Sequence, residues 1–114
     1  MPEFQWAVYE ANLDPVAGAE QQGNRPVLIV SNEEFNQAMQ NITVLPLTST
    51  RRRLYPSEVL LSSGIAGQPL DSIVMAHQIR TISKLRLEKL IGHLTDTELR
   101  SEVREAIKEH LDID

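Results

Sequence analysis

A chain of 114 residues with 41% hydrophobic side chains can build one self-sufficient core and fits a single domain over 1–114. It has no cysteine, which excludes a disulfide framework, thiolate catalysis and cysteine-based zinc sites, and fits a reducing compartment. The net charge of −5 argues against a nucleic-acid partner only until the charge is resolved along the chain. Residues 1–50 carry one basic side chain, Arg25, against six acids; residues 51–90 carry seven against three; residues 91–114 carry three against seven. A polyanion within a Debye length feels the basic middle segment rather than the total. No apolar run approaches the roughly 18 residues that span a bilayer, and Met1-Pro2-Glu3-Phe4 lacks the form of a signal peptide, so a cytoplasmic protein with no membrane role is expected.

In chain order, Gln5 to Asn12 reads as a first strand closed by Asp14-Pro15. Residues Gly18 to Pro26 form a polar, glycine-punctuated loop ending at Arg25, where Pro26 disfavours helix at the preceding residue. The β-branched run Val27 to Ser31 is a second, buried strand. Glu33 to Met39 suits a short helical turn capped by Ser31 or Asn32, and Ile42 to Leu47 is a third strand leading into Thr48-Ser49-Thr50 and three arginines. Glu58 to Leu61 is a fourth strand, ended by Ser62-Ser63-Gly64; Ser72 to Ile82 is a fifth, long or bent; Lys89 to His93 is a sixth. Thr95 with Glu98 forms a capping-box pattern, and Leu99, Val103, Ala106, Ile107, His110 and Leu111 recur at helical spacing, giving a closing amphipathic helix of about 15 residues. Several short strands and one helix predict a mainly β (α+β) fold, a small barrel or two packed sheets with the helix against one side.

Polar clusters fall at the strand ends: Glu20 to Arg25, Thr48-Ser49, Arg51 to Arg53, and His77-Gln78 with Arg80. Arg25 offers a planar fork matched to phosphate oxygens but is a poor proton donor, so its role is electrostatic. The Thr48 hydroxyl can bond a non-bridging phosphate oxygen, or merely cap the strand end. His77 has the side chain suited to proton transfer near neutrality, with Glu20 as the rival base. Arg51, Arg52 and Arg53 form either a solvated run or a grip on a phosphate backbone, and Tyr55 is the best-placed aromatic for stacking on a base. Trp6 is expected in the core or an interface, and His93 and His110 as packing or surface residues. Isolated histidines and scattered acids show no metal-ligand spacing, so neither metal nor cofactor is expected.

Four ordered blocks carry a specific resemblance: Gly18-x-Glu20-Gln21-x-Gly23-x-Arg25-Pro26-Val27-Leu28; Ser31-Asn32; Pro46-x-Thr48-Ser49; and Gln78-x-Arg80-Thr81-Ile82. Together they resemble the MazF/PemK toxin family over nearly the whole chain. The resemblance implies a small SH3-like β-barrel of the PemK/CcdB type with a C-terminal helix, a homodimer, and metal-independent, sequence-specific cleavage of single-stranded RNA. It also implies a small acidic antitoxin protein that blocks the groove. Arg25 and Thr48 become catalytic candidates with His77 beside them, and Glu20, Gln21, Arg51, Arg52, Arg53, Tyr55 and Gln78 become substrate-binding candidates. Two places depart from the pattern. Relatives usually open with an Arg-Gly-Asp-like or Lys-Gly-Asp-like segment where this chain reads Gln5-Trp6-Ala7, and some carry an Arg-x-Asp pair where it reads Met75-Ala76-His77. The competing readings are a gyrase poison of the same fold and a catalytically degenerate RNA-binding regulator; the C-terminal Leu111-Asp112-Ile113-Asp114 lacks the tryptophan-containing tail of the former.

Overall fold

The computed structural model describes residues 3–14, 18 and 23–114. Its elements are β1 (Ala7–Asn12), β2 (Asn24–Ile29), α1 (Glu33–Ala38), β3 (Asn41–Thr48), β4 (Glu58–Leu61), β5 (Ser72–Met75), β6 (Arg80–Ser83), β7 (Leu87–His93) and α2 (Thr97–Leu111), with 3₁₀ turns at Ala76–Gln78 and Lys84–Arg86. The seven strands form one antiparallel sheet in the order β4-β5-β3-β2-β1-β7, and β6 also pairs with β3. Strand β3 has two successive partners on one side: Asn41 to Val44 pair with β6, and Leu47 and Thr48 pair with β5. That division bends the sheet around its own core.

The closing contact is made by backbone. The loop between β4 and β5 crosses β7, where a Cβ on Gly67 would overlap the Ile91 carbonyl and one on Gly92 would overlap the Ala66 carbonyl. Gly67 also has φ +86°, a region that side chains resist. The barrel is therefore shut by glycine-mediated approach, with no strand ladder between β4 and β7.

Alternation along β2 and β3 sends side chains to two cores. Leu28, Leu45 and Leu47 face a cluster completed by Val103 and Ala106 of α2, whereas Val27, Ile29 and Val44 face a second cluster with Ala7, Ala11, Leu13, Ile42 and Ile82. Among the described residues no helix is long and apolar enough to cross a membrane.

Several predicted boundaries shift for physical reasons. The first strand begins at Ala7 rather than Gln5 because Trp6 sits at φ +70° and turns the chain. This is the backbone region that glycine adopts freely and that side chains resist, so tryptophan is strained here. Its ring is 4% exposed, its N–H donates to Ile29 O and its carbonyl accepts from Leu94 N–H. Strand β2 starts at Asn24, because Asn24 and Arg25 extend the ladder to Asn12 and Ala11 of β1. The long fifth strand is broken by the Ala76–Gln78 turn into β5 and β6. The helix cap is Asp96 rather than Thr95; its carboxylate accepts from the N–H groups of Glu98 and Leu99. Asn32 caps α1 as expected.

The substitution Gly92→Ala should lower stability by about 1–3 kcal/mol, the cost of forcing a methyl group against fixed backbone, read as a drop in urea midpoint.

Candidate active site

Strand register builds the site. The β2–β3 ladder pairs Val27 with Pro46, so continuing it two residues outward brings Arg25 opposite Thr48 on one face of the sheet. That face is the one turned away from α2. Arg25 and Thr48 both line a cavity of ≈ 250 Å³, walled on its far side by Gln68, Pro69 and Leu70 of the crossing loop. The wall is held firmly: buried Gln68 accepts from Ala66 N–H at 3.0 Å and donates to Ser62 O at 3.3 Å, while its carbonyl accepts from Gly64 N–H. Thr48 is 7% exposed, and its hydroxyl is oriented by Thr50, accepting from Thr50 N–H at 3.2 Å and donating to Thr50 Oγ1 at 3.1 Å.

A larger cavity of ≈ 490 Å³ adjoins the first through Ser49, Pro69 and Leu70. Arg51 and Arg52 line it together with Leu60, Asp71 and Ile73. Two guanidinium groups thus share this cavity with apolar side chains and one carboxylate, Asp71.

The three arginines differ in state. Arg51 and Arg53 are exposed. Arg52 makes a bidentate pair with Glu58, Nη1 to Oε1 at 2.8 Å and Nη2 to Oε2 at 2.7 Å. The Glu58 side chain is wholly out of solvent. Its oxygens also accept from Tyr55 N–H at 2.7 Å and from His77 Nε2 at 2.9 Å. Arg52 above all, then Tyr55 N–H and His77, hold the Glu58 carboxyl at about 2 against the opposing effect of burial. Sequence reasoning missed Glu58. Its signal was an acid opening the apolar strand Val59-Leu60-Leu61, six residues after Arg52.

His77 lies in the turn after β5, its ring 6.5 Å from that of His110 on α2, and it lines neither cavity; nor does Gln78 beside it. Tyr55 is exposed, with the Arg52 guanidinium 4.3 Å from its ring centroid. Glu20 and Gln21 fall outside the described residues. The root of their loop is described: Leu13 N–H donates to Gly23 O, Gly23 N–H to Asp14 Oδ1, and Arg86 Nη1 to the carbonyls of Asn12 and Asp14. Arg86, counted in the basic middle segment, therefore clamps the base of this loop.

With this geometry in view, the chain matches over residues 4–111 the family of PemK-like, MazF-like toxins of type II toxin–antitoxin systems. It belongs to that family. It is 38% identical over 111 residues to Endoribonuclease MazF9 of Mycobacterium tuberculosis, covering 93% of each chain. Endoribonuclease EndoA of Bacillus subtilis is also 38% identical, over 89% of this chain and 87% of its own. The crystal structure of MazF from Deinococcus radiodurans superposes with a TM-score of 0.81 at 28% identity, covering 98% of this chain and 97% of that one. A mycobacterial endoribonuclease in complex with its cognate antitoxin superposes at 0.80 with 27% identity, over 100% and 98%.

A second carboxylate shares the low value of Glu58. Desolvation pushes Glu33 upward, but hydrogen bonds from Gln37, from the N–H groups of Gln5 and Phe4, and from Asn36 outweigh it and bring the group to about 2. Both groups are depressed in the folded state, so their stabilisation is complete above the ordinary value of 4.5 and is lost as pH falls from there toward 2. The urea midpoint should fall across that window, and Glu58→Gln should flatten the slope while lowering the midpoint at neutral pH.

Proposed function

We propose that the chain is the toxin component of a type II toxin–antitoxin pair, an endoribonuclease that cuts single-stranded RNA at Arg25 and Thr48. The juxtaposition of these two side chains across β2 and β3, in one cavity, carries the reading. In this scheme the RNA's own 2′-oxygen attacks the adjacent phosphorus. The O2′–P bond forms, the P–O5′ bond breaks, and the products are a 2′,3′-cyclic phosphate and a 5′-hydroxyl. Arg25 stabilises the extra negative charge of the five-coordinate phosphorus, and Thr48 turns its hydroxyl from Thr50 to a non-bridging oxygen. The 2′-hydroxyl must lose a proton to a base, and the departing O5′ takes one from water in the open cavity. Because His77 donates to Glu58 and lines neither cavity, we assign proton acceptance to Glu20, in the loop rooted at Gly23 beside β2. His77 then acts by holding the Glu58 cluster together.

The working form is a homodimer in the cytoplasm, restrained by a small acidic antitoxin. The Deinococcus radiodurans relative has been solved as MazE-MazF, and the mycobacterial relative with its antitoxin. An acidic segment laid along the cavity that Arg51 lines would compete with RNA for the same charges.

Cleavage of a long single-stranded RNA should persist in EDTA, leave cyclic-phosphate and 5′-hydroxyl ends, and stop when 2′-deoxyribose occupies the cut position. The same assay separates this reading from a gyrase poison or an inactive RNA binder, neither of which cuts. Arg25→Ala should slow cutting about 100-fold or more, and Arg25→Lys should restore little, since a point charge lacks the bidentate fork. Glu20→Gln should remove the limb of the pH–rate profile along which the rate rises as the base loses its proton, whereas His77→Ala should leave that limb in place.

Antitoxin binding should compete with RNA and weaken with salt. It should weaken further in Arg51→Ala and Arg53→Ala, without loss of thermal stability in either variant. Arg52→Ala should lower the melting temperature, because it leaves Glu58 buried without its main partner.

A further inference from the structure

Arg52 is engaged differently from Arg51 and Arg53. Both of its terminal nitrogens are committed: Nη1 to Glu58 Oε1 and to the Arg53 carbonyl at 3.1 Å, and Nη2 to Glu58 Oε2. A phosphate seeking that same two-pronged grip on Nη1 and Nη2 would have to displace a carboxylate that has no access to water. Held in that pair, the Arg52 guanidinium lies over Tyr55, its Cζ 4.3 Å from the ring centroid. The same Glu58 oxygen that receives Arg52 Nη1 also receives Tyr55 N–H. One buried carboxylate thus fixes both the backbone of the aromatic residue and the cation stacked on its ring.

Tyr55 as a whole remains 53% exposed. Its position follows from the loop that joins β3 to β4, downstream of Thr48, and its stacking partner Arg52 lines the larger cavity, which opens onto the Arg25–Thr48 cavity. An exposed tyrosine in an unrestrained loop loses conformational freedom when a ligand stacks on it, whereas a ring already pinned by its N–H and its cation loses little. Stacking on an aromatic face tolerates any base and suits an unpaired strand.

We propose that Glu58 is a positioning residue that preassembles Arg52 and Tyr55 into a stacking platform for one unpaired nucleobase flanking the cut phosphate. This rests on the reading of the chain as an RNA-cutting enzyme. The triple-arginine segment accordingly divides its labour: Arg51 and Arg53 meet phosphates, and Arg52 supports a base.

The test uses the full chain and a short RNA containing the mapped cut sequence, with 2′-deoxyribose at the cut position to block cleavage. A single abasic site is walked along this RNA and affinity is measured at each position. For the unmodified protein, one position near the cut should lose about tenfold on removal of its base, the scale of one aromatic–base stack. In Tyr55→Leu that penalty should vanish, because the intact and abasic RNAs now bind alike; in Tyr55→Phe it should remain. Glu58→Gln should shrink the penalty and raise KM for the cleavable RNA with little change in kcat. Tyr55 supports no described core contact, so its variants stay informative even where Glu58→Gln unfolds. An abasic penalty that persists undiminished in Tyr55→Leu, in a protein that still cuts RNA, overturns the platform and leaves the nuclease standing. A protein that neither cuts nor binds any RNA overturns the nuclease reading, and the platform with it.

Discussion

The close passage of Gly67 against Gly92 is the constraint on which the rest of the molecule depends. A seven-stranded sheet with β4 at one end and β7 at the other has two open edges. Bringing the β4–β5 loop down onto β7 joins the ends without a further ladder, and backbone atoms meet where any Cβ would intrude. This approach places Gln68, Pro69 and Leu70 across the mouth formed by Arg25 and Thr48. The cavity therefore exists because the sheet closes in this way. Gly67, which permits the approach, directly precedes Gln68 in the cavity wall.

A second constraint is electrostatic. The chain is acidic overall, yet three consecutive arginines occupy the loop after β3, two of them lining the cavity beside it. Such a loop would repel itself if all three arginines pointed outward. Glu58 absorbs one of them, and four hydrogen bonds to its two oxygens offset the cost of burying its charge. Arg80 and Arg86 are similarly drawn inward, donating to the carbonyls of Leu13, Asn12 and Asp14 at the root of the β1–β2 loop. Basic residues here serve as internal braces as well as surface charge.

The sequence made the architecture legible wherever local chemistry decides it. The alternation in β3, the apolar run of β4, the Asn32 cap and the face of α2 are all read from periodicity and capping. The resemblance blocks placed Arg25 and Thr48, and the register of β2 and β3 gives their proximity a physical cause. Other features were hidden because they depend on contacts distant in the chain. The break at Ala76–Gln78 follows from β3 exchanging one partner for another, which no window around His77 reveals. The burial of Glu58 depends on three donors that come from the preceding loop and from a turn 19 residues later. Composition showed three equivalent arginines; only the fold distinguishes the one that is buttressed from the two that are exposed.

Trp6 illustrates how one departure binds others to it. Its backbone occupies a left-handed region natural to glycine, while its ring lies within 5.4 Å of the Arg100 guanidinium and 5.0 Å of that of Arg104, both on α2. Replacement by glycine would relax the backbone but open a void between sheet and helix and strip both arginines of their aromatic partner. Replacement of either arginine alone would leave the strain in place with less to offset it. The first turn of the sheet and the last helix are thus energetically coupled through one side chain, so a substitution in either is felt in the other.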